Sequence, residues 1–228
     1  MIINYQAVLS APSAYFIAIA FAAILGSFIN MLCWRLPRNL DIVVRPSFCI
    51  HCNKPLRWFN LLPVISFLWQ SGKSYCCKKK LPARYFLVEV ASIILVLTAS
   101  EYSYNLSYFI ALSITSLILL AMTVIDFEHM IIPDSLQIAL AATLLWLNLS
   151  SPIEIIWLQQ LITMLLLGGI FYLASTVVSR IKKQPALGFG DVKLVAVSGI
   201  ALPLELLATY LLISGIFGTV IGYLWQKK

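Results

Sequence analysis

The sequence predicts an all-α membrane protein with about seven membrane-spanning helices and a small loop domain that carries most of its cysteines. Hydrophobic residues make up 61% of the 228-residue chain and charged residues 11%, a balance far from that of soluble domains. Long runs almost free of charge recur along the chain, and a helix needs about 20 apolar residues to cross the hydrocarbon core. One helical bundle with a modest loop domain is therefore expected.

Seven apolar runs are separated by turn residues and charges, and each run is interpreted as one span. They cover residues 12–34, 86–100, 105–125, 131–149, 155–179, 191–203 and 206–225. The sixth run is short, and Lys193 near its start is expected to extend its amine to the membrane interface. The predicted organisation is a first membrane helix at 1–34, a cysteine loop domain at 35–85 and a helical membrane domain at 86–228.

The charges between the runs predict how the helices are oriented. If the runs cross the membrane alternately, the side that holds residues 35–85 carries all Lys and Arg, counting Lys193 at the start of the sixth run. The opposite side has no basic residue and three acidic ones, Glu101, Glu154 and Glu205. Basic loops stay in the cytoplasm, so the amino terminus is expected in the periplasm and the loop domain in the cytoplasm, against anionic lipid headgroups. The net charge of +7 is explained by this topology, and nucleic-acid binding is not expected because no basic stripe with interleaved aromatics lies outside the loop.

Two aspartates stand at the ends of apolar runs, Asp126 closing the third run and Asp191 opening the sixth. An ionisable group within a membrane helix costs about 2.5–3.5 kcal/mol at mid-bilayer, so such a residue is a functional candidate by default. The alternating topology puts both aspartates at the same boundary. Two neighbouring carboxyl groups share one proton, and such a pair can activate water for attack on a peptide carbonyl. The hypothesis is an acid–base peptidase site.

The helix positions suggest a role for each aspartate. Asp191 at a helix N-terminus is expected to be the anion, and Asp126 at a C-terminus is expected to carry the proton. Gly188 and Gly190 lack Cβ atoms beside Asp191, so a substrate backbone could approach closely. Each aspartate alone also has a purely structural interpretation, Asp191 as a helix cap and Asp126 as a solvated boundary charge.

Two other function classes fit parts of this pattern. An ion-coupled transporter would bind its ion with the two aspartates, although such sites lie near the bilayer midplane and often come with internal repeats, and no repeat is evident in the sequence. A non-catalytic scaffold in a secretion assembly would use the cysteine loop as a docking module. Cleavage of a precursor substrate separates the peptidase from both.

Four of the five cysteines lie in the loop domain, with Cys49 and Cys52 in a Cys-x-x-Cys pair and Cys76 and Cys77 side by side. In a reducing compartment such pairs favour metal binding over disulfides, and four thiolates complete a tetrahedral structural zinc site. Adjacent cysteines are harder to aim at one ion, so His51 is an alternative ligand. Reduced thiols without a metal are the other open interpretation.

These features together resemble the type IV prepilin peptidase family. The matching stretches follow the family's order: Gly26-Ser27-Phe28-Ile29-Asn30, Arg35-Leu36-Pro37-Arg38, the cysteine loop, Ala83-Arg84-Tyr85 with Val88-Glu89, Asp126 with Ile132-Pro133-Asp134, and Gly188-Phe189-Gly190-Asp191. The resemblance implies a bacterial inner-membrane aspartic endopeptidase with Asp126 and Asp191 as catalytic residues. It implies cleavage, on the cytoplasmic side, of the basic leader of type IV prepilins or type II secretion pseudopilins.

The resemblance also implies a second activity and a metal. Many relatives with this cysteine loop methylate the new amino terminus with S-adenosylmethionine. The family's second cysteine pair is usually Cys-x-x-Cys, whereas here Ser74 occupies the first position and Cys77 the second. Cys76 or His51 is then the candidate for the fourth zinc ligand.

Overall fold

The computed structural model describes residues 12–44, 46–153, 156–183 and 187–226, and most of these residues lie in helices. Within them there is no β-strand, and two isolated bridges join Phe48 to Pro55 and Lys73 to Lys80. The α-helices are α1 Pro12–Arg35, α2 Ile65–Trp69, α3 Arg84–Glu101, α4 Leu106–His129, α5 Asp134–Ser150, α6 Trp157–Lys182, α7 Phe189–Ser198 and α8 Leu207–Gln226. Residues 1–11 and Glu154, which entered the orientation prediction, lie outside the described residues.

Three segments are long and apolar enough to cross a membrane: Tyr15–Arg38, Leu106–His129 and Trp157–Ile181. They correspond to α1, α4 and α6. The other predicted runs also contain helices, but α7 has 10 residues and is therefore about 15 Å long, half the thickness of the hydrocarbon core. Length and composition thus support three of the seven predicted spans, and the number seven is not confirmed.

Helix α7 is shorter than its apolar run, and its end packs closely on α6. The chain leaves α7 at Gly199, where an added Cβ would lie 2.6 Å from the Met164 Cα. A side chain at this position would therefore collide with the α6 backbone. The apolar pattern continues to residue 203, but the helix ends at Ser198, and the N–H groups of residues 199–202 then bond to carbonyls three residues back.

The first of two compact units comprises residues 1–152. In it α1 packs on α3 and α4, and α4 packs on α5. Small side chains make the contact between α1 and α3 close, since a Cβ at Gly26 would lie 2.8 Å from the Ser92 Oγ and 3.0 Å from the Glu89 Cα. This contact brings the polar residues at the end of α1 against the first turns of α3.

The second unit comprises residues 153–228. Here α7 packs on α6, and the 3-10 turn Leu204–Leu206 contacts both α6 and α8. The hydroxyl groups of Ser198 and Tyr210 lie 3.2 Å apart. Large apolar side chains of α8 remain exposed, among them Leu212, Ile216 and Phe217, as expected of a helix whose solvent is lipid.

Candidate functional site

Asp126 lies in the last turn of α4. Met130 ends the helix in the left-handed conformation, with a φ of 55°, and its N–H donates to the Asp126 carbonyl over 2.8 Å. The preceding Ile125 is completely buried, whereas Asp126 is half-buried. The carboxyl group therefore stands where the packed part of α4 ends, at the pole of the helix dipole that disfavours a negative charge.

Asp191 lies in the first turn of α7, whose N-cap residue is Gly188. The Asp191 N–H donates to the Gly188 carbonyl over 3.1 Å, so the cap position belongs to the glycine and not to the aspartate. The side chain folds back over that glycine, because an added Cβ at Gly188 would lie 2.9 Å from the Asp191 Oδ2. Gly188 has an ordinary φ of −64°, so a side chain there would disturb the position of the Asp191 carboxylate and not the backbone conformation. Gly190 lies within α7, directly before the aspartate.

The two aspartates belong to different compact units, Asp126 to the first and Asp191 to the second. Within the first unit, a salt bridge from Arg84 to Glu128 ties the start of α3 to the end of α4. The last turn of α4, which carries Asp126, is therefore anchored to a second helix. In the same turn, His129 has a buried Nε2 atom with no hydrogen-bond partner in the described part of the chain.

The four loop cysteines lie together in the first unit. Their Sγ atoms are all within 4.8 Å of one another, with 3.1 Å between Cys52 and Cys76 and 3.9 Å between Cys49 and Cys77. Thiolates around a tetrahedral zinc ion, at Zn–S distances near 2.3 Å, stand about 3.8 Å apart. Shifts on the order of 1 Å would therefore complete such a site. The four residues fit a metal ion in number, chemistry and spacing.

Both cysteine pairs stand on turns of the same backbone geometry. In the first turn, the Cys49 N–H donates to the Lys54 carbonyl and the Cys49 carbonyl accepts from the Asn53 N–H, each over 2.9 Å. In the second turn, Ser74 makes the same two bonds, to the residues five and four positions further on, over 2.8 and 2.9 Å. Ser74 is therefore the structural equivalent of Cys49, and Cys77 matches the second cysteine of the first turn.

The fourth thiol comes from Cys76, at the place that His51 takes in the first turn. The Ser74 hydroxyl is 3.2 Å from the sulfur atoms of both Cys49 and Cys76, and Ser74 is only 3% exposed. The His51 Nε2 faces the carbonyl of Lys80 at 3.1 Å. The structure thus groups four sulfurs without the histidine. The sequence analysis interpreted Ser74 as a lost ligand. It missed the hydrogen bonds of Ser74 to the thiols, which depend on the matching geometry of the two turns.

Hydrogen bonds within the cysteine cluster give its thiols different pKa values. Burial raises the pKa of Cys49, but hydrogen bonds from the Ser74 hydroxyl and the backbone N–H groups of His51 and Cys52 outweigh burial and lower that pKa to about 6. The pKa of Cys52 is raised to about 11, chiefly by its hydrogen bond with Cys76. One thiolate is therefore favoured at neutral pH while its neighbour keeps a proton, as expected for closely spaced acidic groups.

Sequence reasoning passed over Glu89 as a site residue. It lies in the first half of α3 and is 8% exposed. A buried acid in an otherwise apolar run was the signal, since such a residue persists only for a structural or functional reason.

Two family models match the chain. One, described as the bacterial peptidase A24 N-terminal domain, covers residues 20–102, and the other, the type IV leader peptidase family, covers residues 113–223. A prepilin leader peptidase/N-methyltransferase of Bacillus subtilis is 31% identical over 89% of this chain and 79% of its own length. A type 4 prepilin-like proteins leader peptide-processing enzyme of Escherichia coli is 30% identical over 77% of this chain and 72% of its own. The chain belongs to the prepilin leader peptidase family.

A third relative, a prepilin leader peptidase/N-methyltransferase of Pectobacterium carotovorum, is 29% identical over 89% of this chain and 80% of its own length. No solved structure matches the chain. The N-terminal match contains the four clustered cysteines, and the leader peptidase match contains both Asp126 and Asp191. Family membership confirms the resemblance drawn from the sequence and makes this membrane protein an endopeptidase.

Proposed function

We propose that this prepilin leader peptidase is an aspartic enzyme in which Asp126 and Asp191 form one catalytic pair. The observation that carries the proposal is that the leader peptidase match contains both residues, each half-buried at the end of a helix. Ionisable groups at the ends of membrane helices are costly, so they are functional candidates by default. In such a pair the two carboxyl groups would bracket one water and the peptide carbonyl.

Proton sharing gives each carboxyl group a role. Asp191 at the N-terminus of α7 is the anion, which takes a proton from the attacking water, and Asp126 at the C-terminus of α4 carries the proton that polarises the peptide carbonyl. Gly188 leaves room for the Asp191 carboxylate to fold back. The backbone at Gly190, which has no Cβ, offers a surface that an extended substrate can approach.

The substrates are type IV prepilins or type II secretion pseudopilins, cut between a basic leader and the hydrophobic helix that follows. The seven apolar runs would cross the bacterial inner membrane, with the amino terminus in the periplasm. The cysteine loop and the catalytic pair would lie on the cytoplasmic side. The concentration of basic residues in and around that loop supports this orientation and favours contact with anionic lipids. Nucleic acid has no part in the activity.

The cysteine cluster and a methyl donor extend the proposal to a second activity. Cys49, Cys52, Cys76 and Cys77 would hold a structural zinc ion, which ties the two turns of the loop domain together. S-adenosylmethionine supplies the methyl group for the amine that cleavage releases.

Cleavage of a precursor pilin by the purified full chain in lipid nanodiscs tests the peptidase. Asp126→Ala and Asp191→Ala should each lower the cleavage rate by about 10²–10⁴-fold, the usual contribution of a general acid or base. Glu205→Ala is the matched control, since this exposed acid lies in the 3-10 turn Leu204–Leu206 and in none of the sequence motifs that resemble the family; it should cleave at nearly the wild-type rate. Wild-type rates in either catalytic variant would refute the assignment.

A further inference from the structure

The segment between Arg57 and Lys73 contains no charged residue. It holds the 3-10 turn Trp58–Leu61 and helix α2, and it belongs to the loop domain that the sequence predicts to lie in the cytoplasm. The segment is shorter than the about 20 residues that a membrane-crossing helix needs, but re-entrant and interfacial segments have such lengths. Its position relative to the membrane helices therefore decides what its apolar side chains contact.

Helix α2 has one face packed on the protein and one face exposed. On the packed side, Phe67 stacks on Phe86 of α3, with ring centroids 5.4 Å apart, and lines a cavity of about 160 Å³ between α1, α3 and the loop. The outer face, at helix positions i, i+3 and i+4, consists of Ile65, Leu68 and Trp69, which are 58%, 61% and 84% exposed. A helix on the surface of a soluble protein has the opposite arrangement, with polar side chains outward.

Contacts with α1 and α3 give the depth of α2 relative to the membrane helices. The Asn30 amide of α1 donates to the Tyr85 carbonyl of α3 over 2.9 Å, so the neighbouring Phe86, on which α2 packs, is level with this part of α1. Helix α1 has 24 residues and lies mostly within a segment apolar enough to cross a membrane. Asn30 is five residues before its end at Arg35, which is about 8 Å along the helix axis. Helix α2 is therefore level with the membrane-crossing part of α1 and not beyond its end.

The hydrogen bond between Val64 and Glu89 supports the same depth. Val64, directly before α2, has a φ of 61° and a ψ of −52°, a conformation that a β-branched residue rarely adopts. Its N–H donates to the Glu89 carboxylate over 2.7 Å. Glu89 lines the cavity and is buried, and its Cα would lie 3.0 Å from a Cβ at Gly26 in α1. Lipid offers no water to an unpaired N–H group, so a bend of the chain at this depth needs such an internal acceptor.

The other end of the segment is also hydrogen-bonded within itself. The N–H groups of Gln70, Ser71 and Gly72 donate to backbone carbonyls of residues 66–68 over 2.9–3.0 Å. The side chain of Gln70 donates to the Asn60 Oδ1 over 3.2 Å, so the two side-chain amides of the segment bond to each other. The exposed surface of α2 is thus apolar, while its polar groups are turned towards one another and towards the protein.

The residues around the outer face match a membrane surface. Arg57 and Lys73 border the segment, and both are exposed. Trp58 is also exposed, so an indole stands at each end of the segment. Tryptophan and basic side chains are the groups that anchor proteins at the headgroup level of a bilayer. Residues 35–85 carry ten basic residues and one acidic residue, and this charge is complementary to anionic lipid headgroups.

We propose that residues 58–72 re-enter the membrane on the side where α1 ends, with the outer face of α2 among the lipid acyl chains. Arg57 and Lys73 then contact anionic headgroups. The inference uses the membrane location of α1 and does not depend on the catalytic pair. It makes α2 a lipid anchor that holds the loop domain, and with it the cysteine cluster, against the bilayer.

Fluorescence quenching of Trp69 tests the insertion. In a full-length chain, the five other tryptophans are replaced by phenylalanine, and the protein is placed in nanodiscs of phosphatidylcholine and phosphatidylglycerol. Lipids brominated near the start of their acyl chains should lower the Trp69 emission by about half or more, as expected for an indole at the interface. Acrylamide, a neutral quencher that stays in water, should have little effect.

The control carries Lys79→Trp and Trp69→Phe in the same background. Residue 79 is exposed between Lys78 and Lys80, whose charges keep it out of the hydrocarbon, so its emission should respond to acrylamide and not to brominated lipid. If Trp69 responds to acrylamide as the control does, water covers the outer face and the proposal is overturned. Shielding of Trp69 from both quenchers would show that a second copy of the chain covers the face, and would overturn it equally.

Photocrosslinking to the wild-type chain avoids any question of variant folding. The probe is phosphatidylglycerol with a diazirine in an acyl chain. Trypsin cuts after Arg57 and Lys73, so residues 58–73 form one peptide that contains none of the seven apolar runs. This peptide should carry at least about tenfold more label per residue than residues 74–78 of the same loop, because an inserted apolar face touches the acyl chains.

Two outcomes separate this proposal from the peptidase. An unlabelled peptide 58–73, in a sample whose α1 peptides are labelled and which cleaves a precursor pilin, would refute the lipid anchor and leave the peptidase intact. A chain labelled at residues 58–73 that does not cleave would refute the peptidase and uphold the lipid anchor.

Discussion

Moving the fourth thiol from residue 76 to residue 74 is a sharp test of the cysteine cluster. The Ser74 hydroxyl is 3.2 Å from the sulfur atoms of both Cys49 and Cys76, so a thiol at residue 74 would enter the cluster directly. Structural zinc sites contribute about 10–16 kcal/mol with four ligands, or on the order of 3 kcal/mol per thiolate. Cys76→Ser should therefore weaken metal affinity about 100-fold, and the double variant Ser74→Cys with Cys76→Ser should restore it.

Two readouts on the purified chain measure this exchange. Competition with a chromophoric chelator gives the zinc affinity, and the cobalt(II) charge-transfer spectrum counts the thiolate ligands. The wild type and the double variant should show four thiolates, and Cys76→Ser should show three. Cys33→Ala is the control, because this fifth cysteine is buried in α1 against the Ala121 carbonyl. Wild-type affinity in the single Cys76→Ser variant would refute the account of the fourth ligand.

Three further predictions follow from close contacts and from the metal. Gly188→Ala would place a Cβ 2.9 Å from the Asp191 Oδ2. It should reduce the rate of precursor cleavage at least about tenfold and leave the metal content unchanged. Gly169→Ala is the control, because a Cβ there would have nothing within 4 Å, and it should cleave at the wild-type rate. Gly26→Ala should destabilise the fold by about 1–3 kcal/mol through overpacking, measured as a lower Tm, with Gly215→Ala as the unaffected comparison. Chelation of the metal should speed limited proteolysis of the cysteine loop but not of α4; equal rates with and without metal would contradict a structural role.

The helices were predictable because apolar runs record burial in lipid or in a core directly along the chain. Each of the seven runs contains a helix in the structure. The close approach of Gly199 to α6 was not predictable, because it joins residues 35 positions apart in the sequence. Composition cannot reveal such a contact.

Some features of the candidate site were predictable from the sequence, and others were not. The positions of Asp126 and Asp191 at helix ends followed from where the apolar runs stop, and the grouping of the cysteines followed from their pairing. The part that Ser74 plays depends on backbone hydrogen bonds shared by two turns, and the cavity beside Glu89 depends on how a loop packs on two helices. Neither leaves a periodic signal in the sequence.

Crosslinking between residues 126 and 191 tests most directly whether the two carboxyl groups share one site. The second unit has no native cysteine, so the single variant Asp191→Cys shows whether a new cysteine at residue 191 links to the native thiols of the first unit. A protease site inserted after Pro152 allows the two units to be separated on a gel. With a short bifunctional maleimide in native membranes, Asp126→Cys combined with Asp191→Cys should hold the cleaved fragments together, and the single variant should not. Fragments that separate in the double variant, although both new cysteines react with a simple maleimide, would contradict a shared catalytic pair.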